Sequence, residues 1–328
     1  MNFARFVNPR SLPLVITISL FALLYGFGAV SYDAFLSPQV FVNLLIDNGF
    51  LVVVAVGMTF VIISGGIDLS VGSIVALTTM IAATLAQNHH WSFWQILPLV
   101  LVVGSLFGLL HGVLIQIFKL QPFIVTLGGM FLARGLCYVI SIDSISITEP
   151  SFTALSEYRI PVGSETFIST SVVVALVLVA VGIYLAHFTR FGRTVYAIGG
   201  NERSAMLMGL PVTRTKITVY MLSGFCSALG GVLVALYMLS GYGLHALGFE
   251  LDAIAAAVIG GTLLTGGVGY VVGTLVGVMI LGVIQTLIVF DGTLSSWWTR
   301  IAIGALLFLF CLMQRLLDRT GKKISTKK

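Results

Sequence analysis

Ten stretches of almost unbroken apolar sequence govern what this chain can fold into. A helix of about 20 apolar residues matches the ~30 Å hydrocarbon core of a bilayer. The runs lie at roughly 12–30, 42–63, 69–87, 95–117, 122–141, 168–186, 217–239, 251–265, 268–290 and 299–315, the eighth being short. Membrane barrel strands would instead alternate over ~10 residues. The expected fold is all-α: a polytopic membrane helical bundle of about ten transmembrane helices, in a single domain over 1–328.

Composition excludes the soluble alternative. Only 9% of the residues are charged and the mean hydropathy is +1.08, whereas a soluble domain carries roughly 25% charged residues to face water. The 36 glycines fit a membrane bundle, where small residues let helix backbones approach closely. Cys137, Cys226 and Cys311 all lie in apolar runs and read as packing residues rather than a disulfide framework. Arg5 and Arg10 precede the first run, which exceeds the ~7–15 residues of a signal-peptide core and reads as a retained helix.

The basic residues give an orientation. With the N-terminus inside, 14 of the 17 Lys and Arg fall in inside segments: two before the first run, Lys119, five between 187 and 216, and six from Arg315 onward. The exceptions are Arg134, Arg159 and Arg300, and the outside loop at 142–167 carries Asp143, Glu149, Glu157 and Glu165. Both termini are therefore expected in the cytoplasm. The net charge of +5 is an orientation signal and points to no nucleic acid, since the basic residues are not interleaved with aromatics on a polar surface.

The second half echoes the first. GSLFG (104–108) matches GTLVG (273–277), GVLIQ (112–116) matches GVIQ (282–285), and GIDLS (66–70) resembles GFELD (248–252). The matched runs cross in opposite directions under this topology, so the repeat is expected to be inverted, as in many transporters. Asp68 and Glu250 then occupy related positions at opposite faces. Either they anchor gates, or Asp68 caps the third helix and Glu250 or Asp252 the eighth. The Gly104/Gly108/Gly112 and Gly269/Gly273/Gly277 ladders read as helix-packing faces.

Several chemistries are missing. No G-x-x-x-x-G-K-[ST] phosphate loop and no G-x-S-x-G elbow occurs, and no two histidines stand as H-x-x-x-H. The chain is expected to be no enzyme, with no cofactor and no metal. Ion-coupled transport needs ionisable groups inside the membrane; Arg134 alone lies well inside a run, with Asp47, Asp68 and Asp252 near run ends. An ion-coupled secondary transporter is the alternative kept open.

The segment 187–216 is the one sizeable polar stretch on the inside. Asn201 followed by ERSAMLM, Gly209 and Pro211 reads as a capped helix of two turns ending at a glycine, and a short amphipathic helix there could dock into a partner groove.

Here the sequence resembles a known family. VGMTFVIISGGIDLSVGSIVAL (56–77), TRFGRTVYAIGGNERSAMLMGL (189–210) and LDAIAAAVIGGTLLTGGVG (251–269) look like the ribose/xylose-type sugar ABC permeases, over nearly the whole chain. FDGTLSSWWTRIAIGALLF (290–308) looks closest to a permease of the bacterial galactofuranose importers. The resemblance implies a monosaccharide path across the inner membrane, a periplasmic sugar-binding protein, cytoplasmic ATPase subunits on separate chains, and a second, related permease subunit. It also implies that 189–210 carries the ATPase-coupling helix, with Gly199, Gly200, Asn201, Ala205, Leu207 and Gly209 as its candidate residues.

A sugar is uncharged and hydroxylated, so its path needs hydrogen-bonding groups. Asn43, Asn48, Thr59, Ser64, Ser73, Thr78 and Thr126 are the polar candidates, although Ser and Thr in such helices commonly bond their own backbone. Asp68, Ser64, Asn48 and Glu250 are the candidate gate or pathway residues.

Overall fold

The computed structural model describes residues 12–162, 166–295 and 297–325, with side chains from 13 to 313 inside those ranges. Arg5, Arg10, Glu165, Lys327 and Lys328 lie outside the described residues, as do the side chains of Arg315, Arg319, Lys322 and Lys323.

Each apolar run forms a helix. In order these are α1 (Leu12–Ser31), α2 (Pro38–Ile63), α3 (Val71–His89), α4 (Phe93–Gln116), α5 (Pro122–Ile140), then the short α6 (Pro150–Glu157) and α7 (Thr170–Phe188). The polar segment forms α8 (Arg190–Gly200) and α9 (Glu202–Leu207), followed by α10 (Val212–Met238), α11 (Phe249–Ile259), α12 (Val271–Asp291) and α13 (Trp297–Ser325). Small strands β1 (Ile145–Ser146) and β4 (Ser240–Gly241) pair antiparallel, as do β2 (Arg159–Pro161) and β3 (Phe167–Ser169).

Local chemistry explains the starts. Pro38 and Pro122 occupy first turns, where a missing N–H costs nothing, and the Ser37 hydroxyl accepts from the Val40 amide. Ser92 and Gln95 close a capping box at the head of α4.

Eight of the described helices are long and apolar enough to cross a membrane. The eighth run departs from the expected span: α11 has 11 residues, about 16 Å of rise. It stops because Gly260 and Gly261 follow, the latter at φ +90, a backbone conformation that side chains disfavour. The apolar part of α13, Trp297–Met313, is also shorter than the long spans.

α2 and α10 form the buried centre and pack on each other. Each also packs across onto the opposite half. α10 lies on α3 and α4 while α2 lies on α11 and α12, and α3 meets α5 as α11 meets α13. The two halves thus exchange partners at the centre of the bundle. Close approach comes from glycine: a Cβ on Gly108 would overlap the Tyr220 carbonyl of α10, and one on Gly277 the Ala256 carbonyl of α11. Gly269 stands apart from its expected ladder, in the loop before α12 against Ile63 and Thr262.

α3 and α11 are both entered through non-helical chain, at 64–70 and 242–248. Their N-termini meet inside the bundle: a Cβ on Gly72 would lie 2.5 Å from Glu250 Oε2 and 2.6 Å from the Ala246 carbonyl oxygen. Asp68 and Glu250 are therefore close to one junction rather than at opposite faces. Discontinuous helices of this kind place backbone dipoles at the interior of transporters.

Candidate translocation site

A cavity of about 630 Å³ with many polar side chains in its wall lies between α2, α10, α11, α12 and α13. Each helix contributes hydrogen-bonding groups: Asn43, Asp47 and Asn48 from α2, Tyr237 from α10, Asp252 from α11, Gln285 and Thr286 from α12, and Thr299 and Arg300 from α13. Aromatic rings form part of the wall. Phe50 stacks on Phe249 at 5.5 Å and 11°, and meets Tyr237 edge-on at 5.8 Å.

The charges here are partly neutralised. Arg300 donates to both carboxylate oxygens of Asp252 at 3.0 Å, and Tyr237 donates to Asp47 at 3.1 Å. The Asn48 amide donates to the Leu44 carbonyl at 3.0 Å. The lining therefore offers amides, hydroxyls, one ion pair and the Asp47 carboxylate held by a tyrosine hydroxyl, a set of donors and acceptors suited to the hydroxyls of a neutral polyol.

Of the candidate pathway residues, Asn48 lines this cavity and Asn43 stands beside it on the same helix. Ser64 does not; its hydroxyl donates to the Val61 carbonyl at the end of α2. Thr59, Ser73 and Thr126 likewise donate to carbonyls three or four residues back in their own chain. Asp47, Tyr237, Gln285 and the Asp252–Arg300 pair were not singled out for the path. A usable signal was present: polar Asn43 and Asp47 at i, i+4 on an apolar helix, and charges of opposite sign within apolar runs.

Asp68 has no exposure and accepts from the Ser70 amide at 3.0 Å, the Ser70 hydroxyl at 2.5 Å and the Ser223 hydroxyl at 2.8 Å. It fastens the entry of α3 to the middle of α10. Glu250 Oε2 is buried with no hydrogen-bond partner among the described residues. Arg134, which lacks an acid one turn away, reaches the second non-helical segment and donates to the Gly243 and His245 carbonyls at 2.5 and 2.9 Å. Those carbonyls have no helix to serve them, so the guanidinium replaces the missing donors.

α8 and α9 sit at the end of the bundle where α2 finishes. Asn201 caps α9 by accepting from the Ser204 amide at 2.8 Å, and Gly209 ends it at φ +75. Ala205 and Leu207 are both candidate coupling residues. The structure separates them: Ala205 is fully buried against Ile198 and Val212, while Leu207 is 82% exposed beside exposed Met206 and Met208. Two positions apart on a helix is about 200°, so the pair must face opposite ways.

Gly199 is the joint to the bundle. A Cβ there would overlap both the Ile63 carbonyl and the Gly267 amide, and that amide donates to the same carbonyl at 2.9 Å. Gly266 and Gly267, both at positive φ, press on Gly65 and Gly200. The Tyr196 hydroxyl donates to the Gly269 carbonyl at 2.7 Å, and burial, with Tyr270 nearby, pushes its pKa up to about 12. α8 thus touches the turn after α2 and the loop before α12 at once.

Residues 40–311 match the family described as "Branched-chain amino acid transport system / permease component". The chain is 52% identical over 308 residues to the inner membrane ABC transporter permease protein YjfF of Escherichia coli K12, covering 93% of this chain and 92% of that one. It is 38% identical to the fructose import permease protein FruG of Bifidobacterium longum, over 96% of this chain and 94% of FruG. It is also 38% identical to the ribose import permease protein RbsC of Haemophilus influenzae, over 87% of each chain. No solved structure matches the chain. With a family match across most of its length and relatives of this identity and coverage, the chain belongs to the permease components of ATP-binding-cassette transport systems, as a multi-pass membrane subunit of the sugar-permease type.

Proposed function

We propose that this chain forms the transmembrane path of an ATP-driven importer for a neutral monosaccharide, galactofuranose or a related sugar. The cavity between α2, α10, α11, α12 and α13 carries this reading, because amides, hydroxyls and stacked aromatic rings match the hydroxyls and C–H faces of a sugar. Its relatives include permeases named for ribose and fructose import, and the stretch 290–308 resembles galactofuranose permeases. The chain works with a cytoplasmic ATPase subunit, a periplasmic sugar-binding protein and a second, related permease chain. Nucleotide chemistry then belongs to the partner, in keeping with the missing phosphate loop.

α8 and α9 receive the ATPase. Exposed Met206, Leu207 and Met208 form the docking tip, and Gly199–Gly200 pass its movement to the turns at 63–66 and 262–269. Both termini lie in the cytoplasm with α8 and α9. A reporter fused after Lys328 is expected to be cytoplasmic and one inserted near Glu157 periplasmic; both reporting from one side would overturn this orientation.

The path is tested by reconstituting the chain with its ATPase, binding-protein and permease partners and measuring ATP-dependent uptake of labelled sugars. Gln285→Leu and Tyr237→Phe should each lower uptake of the preferred sugar about tenfold, the effect of losing one well-placed hydrogen bond. Membrane levels should stay normal, since neither side chain supports the packed centre. Unchanged uptake in both variants would show that the sugar does not pass this cavity.

A further inference from the structure

On the α8 side of the bundle, a second cavity of about 660 Å³ opens between α8 and the start of α10. Its rim carries Arg190, Arg193 and Arg214, all exposed, none in an ion pair with a described residue. Its wall is largely apolar, with Phe191, Leu210 and Pro211. Three cations around an apolar pocket repel one another unless something anionic joins them.

A second hollow lies further along the same helix. Arg214 and Thr218 line the pocket, and Met221 and Phe225 line the hollow against Leu106 and Leu109 of α4. Positions 214, 218, 221 and 225 follow one face of α10 at helical spacing. From Arg214 to Phe225 the helix rises about 16 Å, close to half of a ~30 Å hydrocarbon core. A basic pocket and an apolar furrow thus share one face of α10 over a length close to one leaflet.

We propose that this face of α10 seats one anionic phospholipid, its phosphate among Arg190, Arg193 and Arg214 and an acyl chain along Thr218, Met221 and Phe225. A soluble ATPase could cover the arginines but cannot reach a furrow at membrane depth, and the furrow is what favours lipid. Basic residues at a membrane surface each add to the attraction for anionic headgroups. The proposal uses the orientation given above only to place the lipid in the cytoplasmic leaflet, and its test needs no transport.

The full chain, purified in mild detergent from membranes holding phosphatidylglycerol and phosphatidylethanolamine, would be examined by native mass spectrometry for lipid that stays bound. Selective retention of phosphatidylglycerol is expected. Arg190→Gln, Arg193→Gln and Arg214→Gln together should reduce it by about tenfold or more, from the summed loss of three basic contacts. Thr218→Trp, which changes no charge and fills the face between pocket and furrow, should reduce it as well. Wild-type retention in either variant overturns the proposal. So does displacement by excess inorganic phosphate, which would mark a free-anion site, or equal retention of both lipids. Loss of ATPase or permease binding in the arginine variant with lipid still held would assign the face to a protein partner instead.

Discussion

Asp68→Ala is expected to remove the protein from the membrane rather than leave an idle permease in place. The carboxylate is fully buried and accepts three hydrogen bonds, one from the Ser70 amide, one from the Ser70 hydroxyl and one from Ser223 on α10. Deleting it strands these donors where no water can serve them. A buried unpaired polar group costs about 1–3 kcal/mol, so the loss is of the order of the whole 5–15 kcal/mol that holds a typical fold. The entry segment 64–70 would then no longer be fixed to the middle of α10. Immunoblots of membrane fractions and thermal unfolding in detergent should both show the loss, with Asp68→Asn falling between the alanine variant and wild type.

Glu250→Gln supplies the contrast. Its Oε2 has no partner among the described residues, so an amide of the same shape breaks no hydrogen bond at that atom, and membrane levels should stay near wild type. If Asp68→Ala also reaches the membrane at normal levels and loses only transport, Asp68 is a gate residue and not a fastening.

Two substitutions in the α8–α9 region should both lower uptake severely, for different reasons. Leu207→Asp puts a charge on the exposed tip of α9. Burying an unpaired charge under a partner costs several kcal/mol, so the ATPase should no longer co-purify. Gly199→Ala leaves that tip untouched but forces a methyl group into the Ile63 carbonyl and the Gly267 amide. Overpacking of this kind commonly costs about 1–3 kcal/mol and moves backbone. Here the ATPase should still bind and hydrolyse ATP while uptake falls at least about tenfold. Normal uptake by Gly199→Ala would show that force does not pass through this joint. Loss of ATPase binding by both variants would make α8 and α9 one docking surface with no separate relay. Ala205 is a poor probe of docking, because it lies inside, against Ile198 and Val212.

The sequence by itself determined the helices and their order, since a run of apolar residues must satisfy its backbone internally to sit in lipid. It also carried the family, the polar segment that forms α8 and α9, the Asn201 cap and the Gly209 stop, because these depend on neighbours within a turn. The echo between halves was legible as short glycine phrases, whereas the crossed packing of α2 and α10 onto the opposite halves was visible only in the fold.

Which side of each helix faces inward was decided by the tertiary structure. In water, an apolar stripe marks the core; in a bilayer, lipid and core are both apolar, and the stripe carries no such mark. That is why Asn48 could be named for the path while its cavity neighbours Gln285 and Tyr237, on two other helices, could not be joined to it. It is also why Asp68 and Glu250 looked like residues of opposite faces. Two helices that begin inside the bundle bring them together, and no spacing along a single chain encodes where a helix begins relative to a membrane.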